Sequence, residues 1–253
     1  MHFHLPKPLH GWRAFTGEVG IIVVGVLIAL TAEQAVESWH WRAEAAQART
    51  ALREEVGQDN LPQAYTRLAT APCLSAKLDQ LDAALAAHMD RPQFLALARA
   101  YRPFNRGWDD ETWKAVIGTA VLSHGGPGEL ISWSKPYRII GGIRTLNQAE
   151  ADDAIDLAGI SPAAGMMTPV EADRTAVLLH RLREREERME ITSRVLIQEA
   201  REAGVVMTER EQRRVLVELH PEWGKCLAVP DTSEIDLGSQ SDEPVRKATL
   251  KRS

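Results

Sequence analysis

The longest uncharged run in this chain, Val19 to Ala32 within FTGEVGIIVVGVLIALTAEQAVESW, decides which solvent the polypeptide must satisfy. Its 14 residues rise about 21 Å as a helix, short of a hydrocarbon core of about 30 Å. Starting the run at Ala14 lengthens it to 19 residues and admits one acid, Glu18. Tryptophans supply a second ruler. Trp12 precedes the run, and Trp39 and Trp41 come after it. The 27 residues from Trp12 to Trp39 span about 40 Å, close to a bilayer with its headgroups, and indole rings favour that interface. On this ruler Glu18 and Glu33 fall just inside the hydrocarbon boundary, where a side chain reaches headgroups at far less cost than at the midplane. Glu18 also lies in the first helical turns, where the macrodipole favours an acid. A transmembrane helix is predicted over 14–36, so the lipid bilayer is the first expected partner.

Two rival readings are weaker. A cleaved signal peptide would fit the short apolar core after Lys7 and Arg13, but cleavage after Ala32 puts Leu30 where a small residue is needed, and cleavage after Ala35 puts Glu33 there. A buried soluble helix is the other. Orientation rests on the positive-inside comparison: Lys7, Arg13 and the α-amine before the span, Arg42 and Arg49 after it, which slightly favours a cytoplasmic N-terminus. Residues 1–13 then form a short cytoplasmic tail, and 37–229 lie outside the cytoplasmic membrane, in the periplasm of a Gram-negative cell. Gly25, Ala29 and Ala32 share a face with Glu18 and permit close helix approach, so a homodimer through the span is an expectation to be tested.

Beyond the span the chain reads as helix. Apolar residues are 44% and charged residues 26% of the chain, while aromatics are 6%; Ala and Leu dominate, which favours an all-α fold over strands. The net charge of −5, from 30 basic and 35 acidic residues, gives no broad basic surface for nucleic acid. Trp41, Ala45, Ala48, Leu52 and Val56 continue the first helix to about Val56, and Leu74, Leu78, Leu81, Leu85 and Met89 form a second stripe, with Pro72 in its first turn. Asp90, Pro92 and Gln93 read as a capped start to a helix ending at Tyr101. Asp109 or Asp110 caps a helix carrying Trp113, Val116, Ile117, Ala120 and Val121. Residues 129–158 read as helix broken at Pro136. TPVE (Thr168–Glu171) and TERE (Thr208–Glu211) are capping boxes, the first opening a helix to Gly204 and the second a short helix ended by Pro221. A disordered tail is expected over 230–253.

Few residues suggest chemistry. HGGPG, His124 to Gly128, matches the oxyanion-hole motif of proline-specific α/β-hydrolase peptidases, but no G-x-S-x-G elbow comes after it and the flanks are helical, so a helix end and turn is the better reading. In WDDETW the carboxylates of Asp109, Asp110 and Glu111 suit a helix start electrostatically. RLREREERME, Arg181 to Glu190, reads as a solvated face. The histidines show no ligand spacing, and no catalytic residue, metal or cofactor is assigned. Cys73 and Cys226, the chain's two cysteines, pair in an oxidising compartment and stay free in a reducing one; a disulfide is the one covalent hypothesis.

The segment GEVGIIVVGVLIAL, Gly17 to Leu30, resembles the opening of a family of uncharacterised bacterial single-pass membrane proteins, whose N-termini read roughly G-E-[IV]-x-[IL]-V-V-x-G-[IV]-L-I-A-L. LREEVGQDN (Leu52 to Asn60) and TWKAVIGTAVLSH (Thr112 to His124) are similar to two further patterns of that family, so the resemblance covers about the first 145 residues. After the span it departs, with TAEQAVESW in place of an amide-rich turn. The resemblance implies a single span and a helical extracytoplasmic domain, and it brings no known activity. The functional expectation is a membrane-anchored interaction or scaffold module acting with an unknown protein partner. The alternative is an extracytoplasmic small-ligand sensor that signals through a partner, since the tail before the span is too small for an output domain.

Overall fold

The computed structural model describes residues 12–227 except 126, 162 and 163, and the described chain is all α, with no strand. The predicted disordered tail over 230–253 lies outside the described residues, as does the predicted cytoplasmic tail over 1–13 except for Trp12 and Arg13, which open α1. Helix α1, Trp12–Glu54, passes through a single π-helical segment, Glu55–Asn60, directly into α2, Leu61–Ala86. From Phe15 to Ala86 the rod counts 72 residues, about 110 Å of helix. Helices α3 (Arg91–Ala100) and α4 (Glu111–Ile117) lead through a 3₁₀ turn, Val121–Gly125, to α5 (Pro127–Ala158), with α6 (Pro169–Glu202) and α7 (Glu209–Trp223) completing the order.

Cross-helix pairs fix the directions. Arg49 meets Glu129, Glu55 meets Tyr137 and Arg67 meets Glu150, so α5 runs parallel to the rod. Arg183 meets Asp79 and Asp82, and Lys135 meets Glu199 and Glu202, so α6 returns antiparallel to both. The core is thus a three-helix bundle of α2, α5 and α6 with the end of α1 beside it. Helix α7 turns back along α2, where Cys226, just past its end, forms a disulfide with Cys73 at a Cα separation of 5.2 Å.

The two apolar stripes expected of α1 and α2 face this core: Ala45, Leu52 and Val56 are buried, as are Leu74, Leu78 and Leu81. Both capping boxes form, with Thr168 and Thr208 accepting from the amides of Glu171 and Glu211 and those carboxylates reaching back to the cap amides. Gly204 closes α6 in a left-handed conformation, φ 79°, as the amide of Val205 donates to the Ala200 carbonyl.

Several local expectations are corrected. Pro72 lies well inside α2, whose first turn holds Pro62 instead. Pro136 does not break α5, and Pro221 lies inside α7; a proline costs a helix about 3 kcal/mol, and at Pro136 the burial of neighbouring Trp133, Tyr137 and Ile140 outweighs it. Asp90 precedes α3 without a side-chain cap. Asp110 likewise makes no capping bond; its carboxylate is taken by Arg144 at 2.6 Å and Lys114 at 2.9 Å, and α4 stops at Ile117, so Ala120 and Val121 lie beyond it. The first helix, by contrast, ends at Glu54, close to the expected Val56, and the chain continues directly into the π segment.

Candidate functional site

Two features of the fold carry functional information: a helix whose apolar stretch is not buried against the described bundle and a charged layer sealed in that bundle. Every described side chain from Phe15 to Glu37 is exposed, and the first buried residue of α1 is Ala45. Its apolar part is long enough to cross a membrane, and none of the most apolar stretch is buried against the rest of the chain. The soluble-core alternative needs that face covered from within, which the described residues do not do. Glu18 and Glu33 are exposed on the same helix, as are Gly25, Ala29 and Ala32, and nothing lies within 4 Å of a Cβ built on Gly25.

The tryptophans divide. Trp12 and Trp39 are 78% and 72% exposed. Trp41 instead is half-buried, its ring stacked on His124 at 4.2 Å between centroids and its Nε1 donating to Glu37. HGGPG thereby has a concrete role among the described residues: its histidine seats the 3₁₀ turn on the helix that leaves the domain. Arg49 to Glu129, at 3.3 Å, is a second tie between α1 and the start of α5.

The π segment is held by the loop before α4. Asn60 donates to the carbonyls of Glu55 and Asp109 and accepts from the Asp109 amide. Buried Glu55 accepts from the Thr112 amide and the Tyr137 hydroxyl, both at 2.7 Å. Trp113 stacks on Tyr137 at 4.9 Å. WDDETW therefore serves as a brace against the junction of α1 and α2. Arg144 beside Asp110 holds that carboxyl below its ordinary range, and burial pushes the Tyr137 phenol up, with its bond to Glu55 adding.

Above this brace two apolar clusters flank a charged layer. One apolar cluster gathers Leu52, Val56, Trp133, Ile140, Met189 and Leu196; another gathers Leu74, Leu78, Phe94, Leu157, Leu179 and Leu182. Between them sits Arg67, fully buried, whose Nη2 donates to Glu150 Oε1 and Glu186 Oε2, each at 2.5 Å. The Tyr101 hydroxyl donates to Glu150 at 3.4 Å. One cation faces two carboxylates, so the layer would carry an excess negative charge in a medium that stabilises charge poorly. Burial, then the charge of Glu150, pushes Glu186 up to about 8 against the pull of Arg67. Burial also raises the Tyr101 phenol, which stays a donor. For Arg67 burial acts downward, and the two carboxylates together still hold it above its ordinary value. A proton on Glu186 relieves that excess.

Sequence reasoning missed this layer, and it corrects the reading of RLREREERME as a solvated face. Glu186 is inside; Arg185 bonds the Ala149 carbonyl and Asp153, while Arg183 pairs with Asp79 and Asp82. The signal was present in the helical spacing. Ala64, Arg67, Ala71 and Leu74 share one face; so do Ile143, Asn147, Glu150 and Leu157, and so do Leu182, Glu186, Met189 and Ser193. Each seam carries charge at one core position, and only assembly shows that the three meet.

Beside the brace an open groove of about 670 Å³ is bordered by Trp113, Lys114, Ile117, Ile131 and Lys135. Among the described residues no three His, Cys, Asp or Glu side chains converge to hold a metal. The fold and these features define an all-helical domain carried on a bare apolar helix. No family model, curated protein or solved structure matches this chain.

Proposed function

We propose that the protein is a single-pass, signal-anchored inner-membrane protein whose helical domain lies in the periplasm and acts as an interaction or scaffold module without catalytic activity. The observation that carries this is the apolar helix over 14–36, exposed at every described side chain and continuous with the core of the domain. Soluble monomers rarely leave so large an apolar surface in water, and a bilayer would cover it. The disulfide between Cys73 and Cys226 accords with an oxidising compartment. The likeness of Gly17 to Leu30 to single-pass bacterial proteins supports the same topology.

Because α1 enters the bundle without a flexible break, the span and the domain behave as one rigid lever, braced at Trp41, Arg49 and the π segment. This suits a spacer that presents its domain at a fixed height to a protein partner. A homodimer through Gly25, Ala29 and Ala32 belongs to the same reading and is tested by a cysteine-crosslinking scan, which should peak with helical periodicity on that face.

The second reading, a small-ligand sensor, draws on the groove beside Trp113 and Lys135, whose size matches that of ligand sites. Reporter fusions after Asn60 and at the C-terminus test the topology: both should be active outside the cytoplasm, and a full-length chain recovered in the soluble fraction without detergent would overturn it.

A further inference from the structure

At the pole of the bundle farthest from the apolar helix, the turn after α2 and the segment before α6 enclose a small pocket. Leu85, His88, Met89, Phe94, Met166 and Met167 border it, with a volume of about 20 Å³, close to what a single water or ion occupies. Three of the chain's six methionines and one histidine thus border one pocket. Thioether sulfur and imidazole nitrogen are neutral donors, and thioethers in particular favour soft cations over zinc, magnesium or calcium.

The two segments are tied together without help from a ligand. The Arg91 amide donates to the Gly165 carbonyl at 3.1 Å; the Arg91 guanidinium donates to the Met166 carbonyl and pairs with Glu171 at 2.7 Å. The donors are therefore held by a preformed frame.

Met89 and Met167 also pack against the apolar cluster of Leu74 and Phe94, and the Met167 sulfur accepts from the Thr175 hydroxyl at 3.8 Å; packing does not account for Met166 and His88 in the same way. Met166 is 62% exposed, so its side chain contributes little to any core. His88, just past the end of α2, has φ 50° and is the one described non-glycine residue with positive φ. The motif is the same as at the end of α6: the Met89 amide donates to the Ala84 carbonyl and the His88 amide to the Leu85 carbonyl, as the amides of Val205 and Gly204 do to Ala200 and Arg201 there. Glycine fills the left-handed position after α6, whereas after α2 it is filled by histidine, which tolerates this conformation better than most side chains but still at a cost relative to glycine. An imidazole kept where the backbone favours glycine, beside three thioethers, points to a ligand.

We propose that His88, Met89, Met166 and Met167 form a binding site for a soft monovalent metal ion, Cu(I) or Ag(I). The thioethers need lose no proton to bind, so they supply ligation at any ordinary pH, and His88 adds the nitrogen donor that closes the set. The site stands on these four residues and does not depend on the topology proposed above.

The test uses the full chain in detergent with its disulfide intact, titrated anaerobically with Cu(I) delivered from a colorimetric chelator, with Ag(I) as an air-stable check. The protein should withdraw one equivalent more than the variant Met89→Leu/Met166→Leu/Met167→Leu, whose side chains keep the volume and apolarity of the originals. Each single Met→Leu change should weaken binding by about 10-fold or more, and an equal concentration of Zn(II) should not displace Cu(I). Histidines in the first ten residues offer a separate set that these variants leave unchanged, so the difference between proteins isolates the pocket. His88→Gly should weaken Cu(I) while raising the thermal midpoint, a combination that a merely structural histidine would not produce. Oxidation footprinting of the unaltered chain gives an independent readout: Ag(I) should protect Met89, Met166 and Met167 from peroxide and leave Met207 unprotected. Equal withdrawal by the parent and triple variant, displacement by zinc, or equal oxidation with and without Ag(I) would overturn the site.

Discussion

Replacing Glu186 with glutamine isolates the charge imbalance inside the bundle. An ordinary glutamate titrates near 4.5, whereas Glu186 is pushed up to about 8, burial leading and Glu150 adding to it. Between these values the folded protein holds a proton that the unfolded chain has released, so stability falls as pH rises through that window, by at most about 1.4 kcal/mol per pH unit from this group. Below the unfolded value both states are protonated and the effect vanishes; above the folded value both are ionised and the loss is complete. The groups facing Glu186 are Arg67 on α2, Glu150 on α5, Tyr101 after α3 and Glu190 on α6 itself. Arg67 and Tyr101 lie above their ordinary values and do not titrate in the window. Glutamine copies the protonated acid in shape and hydrogen bonding and carries no titration. Denaturant unfolding of the full chain in detergent at pH 5, 6, 7 and 8 should show the parent losing stability steadily, while Glu186→Gln takes a flatter course and becomes the more stable protein at pH 8. Parallel pH profiles for the two proteins would refute the assignment of the proton to this layer.

Arg67→Met leaves Glu150 and Glu186 facing each other with no cation and should cost about 3–5 kcal/mol in the same unfolding assay, whereas replacing all three charged residues by apolar ones of similar volume should recover most of that loss. Cys226→Ser opens a loop spanning 153 residues, for which chain entropy gives about 5 kcal/mol; a non-reducing denaturation midpoint that does not move would show that the bond contributes nothing. Thr168→Ala should cost about 1 kcal/mol through loss of its capping bond, and Asp90→Ala, which removes no side-chain cap, should leave the thermal midpoint nearly unchanged.

The features legible in the sequence are those governed by residues within a few positions of one another or by solvent. The capping boxes at Thr168 and Thr208 use four consecutive residues each, and both form. The apolar stripes of Leu52 and Val56 and of Leu74 to Leu81 reflect helical periodicity against a core, and these residues are buried. The bare apolar helix belongs here too, because its length and the absence of charge are properties of the chain alone. Proline readings failed where packing outweighed a local cost: Pro136 cannot announce that Trp133 and Tyr137 hold its helix together across the missing hydrogen bond.

Long-range contacts decided the rest. Arg67 and Glu186 are 119 residues apart, and nothing local distinguishes an arginine on a wet face from one at the centre of a bundle. Asn60 and Asp109 clamp the π segment across 49 residues of chain. His88 meets Met166 and Met167 only because Arg91 stitches two distant segments together. Sequence alone therefore set the apolar character and length of the first helix and the helical character of the domain, since hydrophobicity and backbone propensity act residue by residue. Which polar side chains lie inside, and which of them meet, depends on the packing of α2, α5 and α6 around one axis, and that is a property of the assembled bundle.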